Sequence, residues 1–80
     1  MVKVVLSENF SVLADGWREL ELPVDNYREV IAELVARWPQ LEPLLERSSV
    51  AIDGMIYQDA MYEPLKRDSE IFFMPRIEGG

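Results

Sequence analysis

Residues 27–38 are the one long stretch of this chain in which apolar side chains recur at helical spacing, and that stretch limits the fold more than any other feature. Tyr27, Val30, Ile31, Leu34, Val35 and Trp38 follow the i, i+3, i+4, i+7, i+8 pattern, while Arg28, Glu29, Glu33 and Arg37 lie on the other side. The limits of the helix are written locally. Asn26 followed three residues later by Glu29 has the form of a capping box, and Pro39 stops the helix at Trp38. Glu33 and Arg37 stand in the favourable i, i+4 order, worth about 0.3–0.5 kcal/mol on an exposed helix. A single helix with one apolar face cannot close a core by itself, so the rest of the chain must supply an apolar sheet to cover it.

The flanking segments read as strands. Residues 2–6 form a short, β-branched run, and after a turn at Asp15-Gly16 residues 17–22 alternate with period two, placing Leu20 and Leu22 on one face. These two strands are expected to join as a hairpin, the second ending at Pro23. Leu41, Leu44 and Leu45 suggest a short second helical turn. Val50-Ala51-Ile52, the turn dipeptide Asp53-Gly54 and Ile56-Tyr57 spell a tight second hairpin, and Ile71-Phe72-Phe73-Met74 make a last strand that stops at Pro75. Strands on both sides of one main helix predict an α+β fold over residues 1–75, a mixed sheet packed on that helix in the β-grasp, or ubiquitin-like, arrangement.

Missing residue types narrow the chemistry. The 80 residues include no Cys and no His, which removes disulfides, thiolate and imidazole metal ligands, a cysteine nucleophile and the commonest general base. Zinc chemistry and Ser-His or Cys-His hydrolysis are excluded, and no metal site is expected. A chain this short buries only about 60% of the surface its unfolded form exposes, so a roomy internal active site is not expected either. Glu19 with Glu21, and Asp53 with Asp59, read as solvated strand edges and turn rims, whereas Tyr27 and Trp38 sit at core spacing. Trp17, beside a turn, either staples the first hairpin or stands exposed for binding.

Eight Lys and Arg against 15 Asp and Glu give a formal net charge of −7, which opposes binding to nucleic acid or to an anionic membrane and favours a basic protein partner. The opening apolar run is too short for a signal-peptide core or a membrane span, so a cytoplasmic location is expected.

Beyond Pro75 the chain reads Arg76-Ile77-Glu78-Gly79-Gly80, and two of its four glycines are the last two residues. A terminal Gly-Gly cannot pack through side chains and has wide conformational freedom, so residues 76–80 are expected to form a flexible tail. Such a tail is slender enough to thread a narrow channel in another protein and to deliver the Gly80 carboxylate there. Carboxylates are poor acyl electrophiles. Chemistry at Gly80 therefore calls for a partner that activates it with ATP as an acyl-adenylate, followed by a sulfur or amine nucleophile. The chain has no Gly-rich phosphate loop, so it is expected to be a carrier without catalytic groups or a bound cofactor of its own.

Residues 62–80, YEPLKRDSEIFFMPRIEGG, resemble the C-terminal segment of the MoaD/ThiS family of small sulfur carriers: Pro-Leu, an acidic turn, an aromatic strand, Pro and a terminal Gly-Gly follow in that order. The likeness extends more loosely through residues 3–6, 27–30 and 50–56. The length, the Phe-rich last strand and the Trp-Pro after the helix resemble the small subunit of molybdopterin synthase more than the thiamin-type carriers. This resemblance implies that Gly80 is adenylated by a ubiquitin-activating-type enzyme (MoeB/ThiF-like) and converted to a thiocarboxylate. The tail, with Gly79 as the slender neighbour of Gly80, would enter a larger synthase subunit (MoaE-like), and the sulfur would serve molybdopterin synthesis. A carrier for thiamin, cysteine or another sulfur-containing metabolite, and a ubiquitin-like protein modifier, are the alternatives. Arg76 and Glu78 stand where relatives often have Pro and a small residue, so with Ile77 between them they make a more charged tail. In the last strand Ile71 and Phe73 are expected in the core, with Phe72, Met74 and Pro75 contributing to a partner surface and Arg76 pairing with acidic groups of the partner.

Overall fold

The computed structural model describes residues 1–75, the last of them by its backbone alone, and the expectations for residues 76–80 lie outside the described residues. Along the chain run β1 (Val2–Val5), α1 (Glu8–Leu13), β2 (Glu19–Leu22), α2 (Tyr27–Arg37), a 3-10 turn (Pro39–Leu41), α3 (Glu42–Glu46), β3 (Ser48–Ile52), β4 (Met55–Tyr57) and β5 (Glu70–Pro75).

Helix α2 forms where the periodicity places it. Asn26 is its N-cap, with its side-chain oxygen accepting from the Glu29 N–H at 2.9 Å. Tyr27, Val30 and Leu34 are buried, with Ile31 and Val35 packed against the same core. Trp38 closes the helix, its N–H donating to the Leu34 carbonyl, and Pro39 opens the 3-10 turn that leads into α3. The leucines 41, 44 and 45 turn inward as their spacing suggests.

The five strands form one mixed sheet in the order β2-β1-β5-β3-β4. Only β1 and β5 are parallel, with Lys3 opposite Glu70, Val4 opposite Ile71 and Val5 opposite Phe72. Parallel strands need a long crossover, and here α2 and α3 lie within it, packed on one face of the sheet. Val2, Val4, Leu20, Leu22, Val50, Ile52, Ile71 and Phe73 all point to that face and are buried. The expected β-grasp arrangement is the observed one.

The hairpin at Asp53-Gly54 is tight: both residues have positive φ, 50° and 86°, as a type I′ turn demands.

The first connection departs from expectation. β1 and β2 pair antiparallel, Val2 opposite Leu22 and Val5 opposite Glu19, but α1 is inserted between them where a simple hairpin was expected. The turn at Asp15-Gly16 closes that helix instead. Asp15 lies at φ 54°, and the Gly16 N–H donates to the Ser11 carbonyl in the 6→1 bond of a Schellman end. Six residues are too few to display a helical period. They pay for their turn by burying Phe10, whose ring stacks on Phe73 at 5.5 Å between centroids.

Candidate partner-docking face

The side chains of a strand alternate between faces, so the residues between the core positions of β1, β5, β3 and β4 must share the face turned away from the helices. The register aligns them. Glu19, Val5, Phe72, Ala51 and Ile56 are successive cross-strand neighbours, forming one row across all five strands. Phe72 is 40% exposed and Ile56 58%, large apolar groups that α2 does not cover. Val5 and Ala51 are half-buried between them.

The rows on either side are polar or mixed. Towards one end of the sheet, Glu21, Lys3 and Glu70 lie side by side; the Lys3 ammonium sits 3.5 Å from the Glu19 carboxylate and 4.0 Å from that of Glu70. Towards the other end, Met74 lies opposite Ser49, whose hydroxyl donates to the Gln58 side chain at 3.2 Å. The face is thus an apolar row with an acidic margin on β2, reaching along β5 to the point where residues 76–80 continue.

Of the residues that the sequence singled out, Phe72 stands on this face and exposed, Met74 stands on it half-buried, and Pro75 ends the strand with its side chain outside the described residues. Ile71 and Phe73 are buried, at 0% exposure each. Arg76, Ile77, Glu78, Gly79 and Gly80 lie outside the described residues. The sequence reading passed over Val5, Ala51 and Ile56 as members of the row. Their alternation with buried Val4, Val50 and Ile52 was legible, but not which strands would stand side by side.

The other candidates have structural work. Asp53 accepts from the Ser69 hydroxyl and from the Glu70 N–H, both at 2.9 Å, and so ties the β3–β4 turn to the start of β5. The Glu70 N–H foremost, then the Ser69 hydroxyl and the charge of Lys66, hold its carboxyl below the ordinary aspartate range. Trp17 is 54% exposed and leans on Trp38 at 6.5 Å, while the Trp38 indole N–H donates to Asp15. It thus braces the end of α1 against the end of α2. Tyr27 is buried beside Phe73, and burial together with the negative charge of Asp59 pushes its phenol up to about 12. Among the described residues no group of three or more potential ligands is placed to hold a metal ion, and no helix is long and apolar enough to cross a membrane.

No protein-family model and no curated protein sequence matches the chain. Solved structures do. The small archaeal modifier protein 1 of Methanosarcina acetivorans is similar with a TM-score of 0.81 at 24% identity, covering 99% of this chain and 95% of that one. The BexX/CysO complex of Amycolatopsis orientalis contains a chain similar over the full length of both, with a TM-score of 0.82 at 15% identity. A putative molybdopterin converting factor subunit 1 from Pyrococcus furiosus is similar with a TM-score of 0.70 at 26% identity, over 95% of this chain and 97% of that one. By their names these are a modifier, a complex of two proteins and a converting-factor subunit. The five-stranded mixed sheet, its covering helices and these neighbours make the chain a ubiquitin-like β-grasp protein, built as the members of the MoaD/ThiS family are.

Proposed function

We propose that this protein is a sulfur carrier that works through the carboxylate of Gly80, the folded body serving as the handle by which larger enzymes hold it. The observation that carries the reading is the apolar row Val5–Phe72–Ala51–Ile56 on the sheet face left free by the helices, on the strand that continues into Arg76-Ile77-Glu78-Gly79-Gly80. A partner gripping this row has the end of β5 beside it. In the proposed reaction a MoeB/ThiF-like enzyme, which binds the ATP, lets the Gly80 carboxylate attack the α-phosphorus with release of pyrophosphate. Hydrosulfide, the sulfur nucleophile, then attacks the acyl carbon, AMP leaves with one carboxylate oxygen, and loss of the S–H proton leaves the thiocarboxylate. A MoaE-like subunit is the proposed recipient, in molybdopterin synthesis, and the cytoplasm the proposed place. Likeness to a converting-factor subunit supports that branch.

A second reading, conjugation of Gly80 to lysine amines of other proteins, is favoured by the likeness to an archaeal modifier. Mass spectrometry of the chain co-expressed with an activating enzyme and a sulfur source separates the two. A carrier gains the mass difference between sulfur and oxygen at its last residue; a modifier appears as isopeptide adducts; neither change refutes both. Phe72→Ser on the same chain should weaken activating-enzyme binding by about tenfold or more, the cost of a central apolar anchor.

A further inference from the structure

The two edges of the sheet are finished differently. β2 carries the exposed Glu19 and Glu21 and runs into Pro23, charges and a proline of the kind that keep an edge from recruiting another strand. β4 has neither. From Gly54 to Gln58 the chain carries no charge and no proline, and it exposes apolar side chains on both faces, Ile56 on the free face and Met55, opposite buried Ile52, on the other. The turn fixes where the backbone of this edge points. Ile52 and Met55 flank the two-residue Asp53-Gly54 turn, so that pair and the pair Val50 and Tyr57 exchange hydrogen bonds across the hairpin, whereas Ala51 and Ile56 between them do not. The Ile56 N–H and C=O therefore point away from β3 to the open edge, and no turn, loop or side-chain hydrogen bond reaches them among the described residues.

An added strand takes up both groups of Ile56 at once. Charge decides which strand that is. Asp53 and Asp59, both exposed, stand at the two ends of the uncharged segment, three residues on either side of Ile56. A second copy paired antiparallel about Ile56 would bring Asp53 of each copy towards Asp59 of the other, between two chains that each carry −7, so this edge is set against pairing with itself. The same arrangement suits a strand with an apolar middle and basic ends. We propose that β4 binds an extended segment of a protein partner, apolar over three residues and flanked by lysine or arginine, as a sixth strand antiparallel to β4. The inference is independent of the fate of Gly80, because it concerns only residues of the folded body.

The test is amide exchange and an amide-shift titration of the isotope-labelled full chain with the peptide acetyl-Lys-Ser-Val-Val-Val-Ser-Lys-amide. In the free chain the Ile56 amide should exchange fast, while those of Met55 and Tyr57, bonded to β3, are protected; saturating peptide should shift the Ile56 amide and slow its exchange by about tenfold or more. The same peptide N-methylated at its central valine, which cannot donate to the Ile56 carbonyl, should bind about tenfold more weakly. The counterpart with glutamine for both lysines should bind about fivefold more weakly at low salt, the worth of two exposed ion pairs. Asp59→Asn should narrow that last difference, and Glu8→Gln, an equal charge change on α1, should leave it. No binding, equal affinity for the N-methylated or the glutamine peptide, or shifts gathered on Val5 and Phe72 or on α2 would overturn the proposal. So would an Ile56 amide already slow without peptide: slow at every chain concentration, it would mark an edge covered by the chain itself, and slower with rising concentration, an edge covered by a second copy.

Discussion

Asp53 shows how much one residue can join. It occupies a left-handed position that aspartate tolerates, and its carboxylate fastens the β3–β4 turn to Ser69 and Glu70. Asp53→Ala should cost about 1–2 kcal/mol, from the left-handed backbone and the lost hydrogen bonds, whereas Asp53→Asn should cost less; urea denaturation measures both. The pH dependence has a definite sign. The carboxyl is lowered in the folded state, so the stability it adds is present above the ordinary aspartate value of 3.8 and is lost as pH falls below it. Acid unfolding of Asp53→Asn should therefore be flatter below that pH than in the parent. Tyr27 acts at the other extreme. Its phenol is raised from 10.0 to about 12, so the unfolded chain releases that proton first and stability should fall as pH climbs through this interval. Spectroscopic titration of Tyr27→Phe should lack the highest tyrosinate step; if that step persists, the assignment fails.

Strand β5 separates two roles by side-chain alternation alone. Phe73 is fully buried between Phe10 and Tyr27, while its neighbour Phe72 stands on the free face. Phe73→Ala should cost about 3–5 kcal/mol, and Phe72→Ala no more than about 0.5 kcal/mol, since the first opens a cavity and the second uncovers little. Comparable losses in a denaturation experiment would show that the strand is registered differently. At this scale much was legible. The cap at Asn26, the stop at Pro39, the turn at Asp53-Gly54 and the alternation through β5 are each fixed by residues close in sequence, so local chemistry alone specified them. Helix α1 was not legible, because its six residues owe their conformation to the docking of Phe10 on Phe73, a contact between distant parts of the chain.

The whole molecule combines a net charge of −7 with a free face whose β2 margin is acidic and whose middle is apolar. Charge of one sign speeds the encounter with an opposite one, and apolar contact holds the complex afterwards. Association with a basic partner should thus slow by about tenfold or more as ionic strength rises from low to high, with dissociation changing far less, as stopped-flow measurement can follow. An association rate indifferent to salt would show that the acidic margin plays no part.

Periodicity, caps and turn dipeptides determined the main helix, the strands and their order, because each of these signals acts between residues a few positions apart. Only the tertiary structure decided that β1 lies parallel to β5, and hence that Val5, Phe72, Ala51 and Ile56 form one row. Strand neighbours come from segments tens of residues apart, brought together by burying one shared core, and no local pattern records which of them will meet.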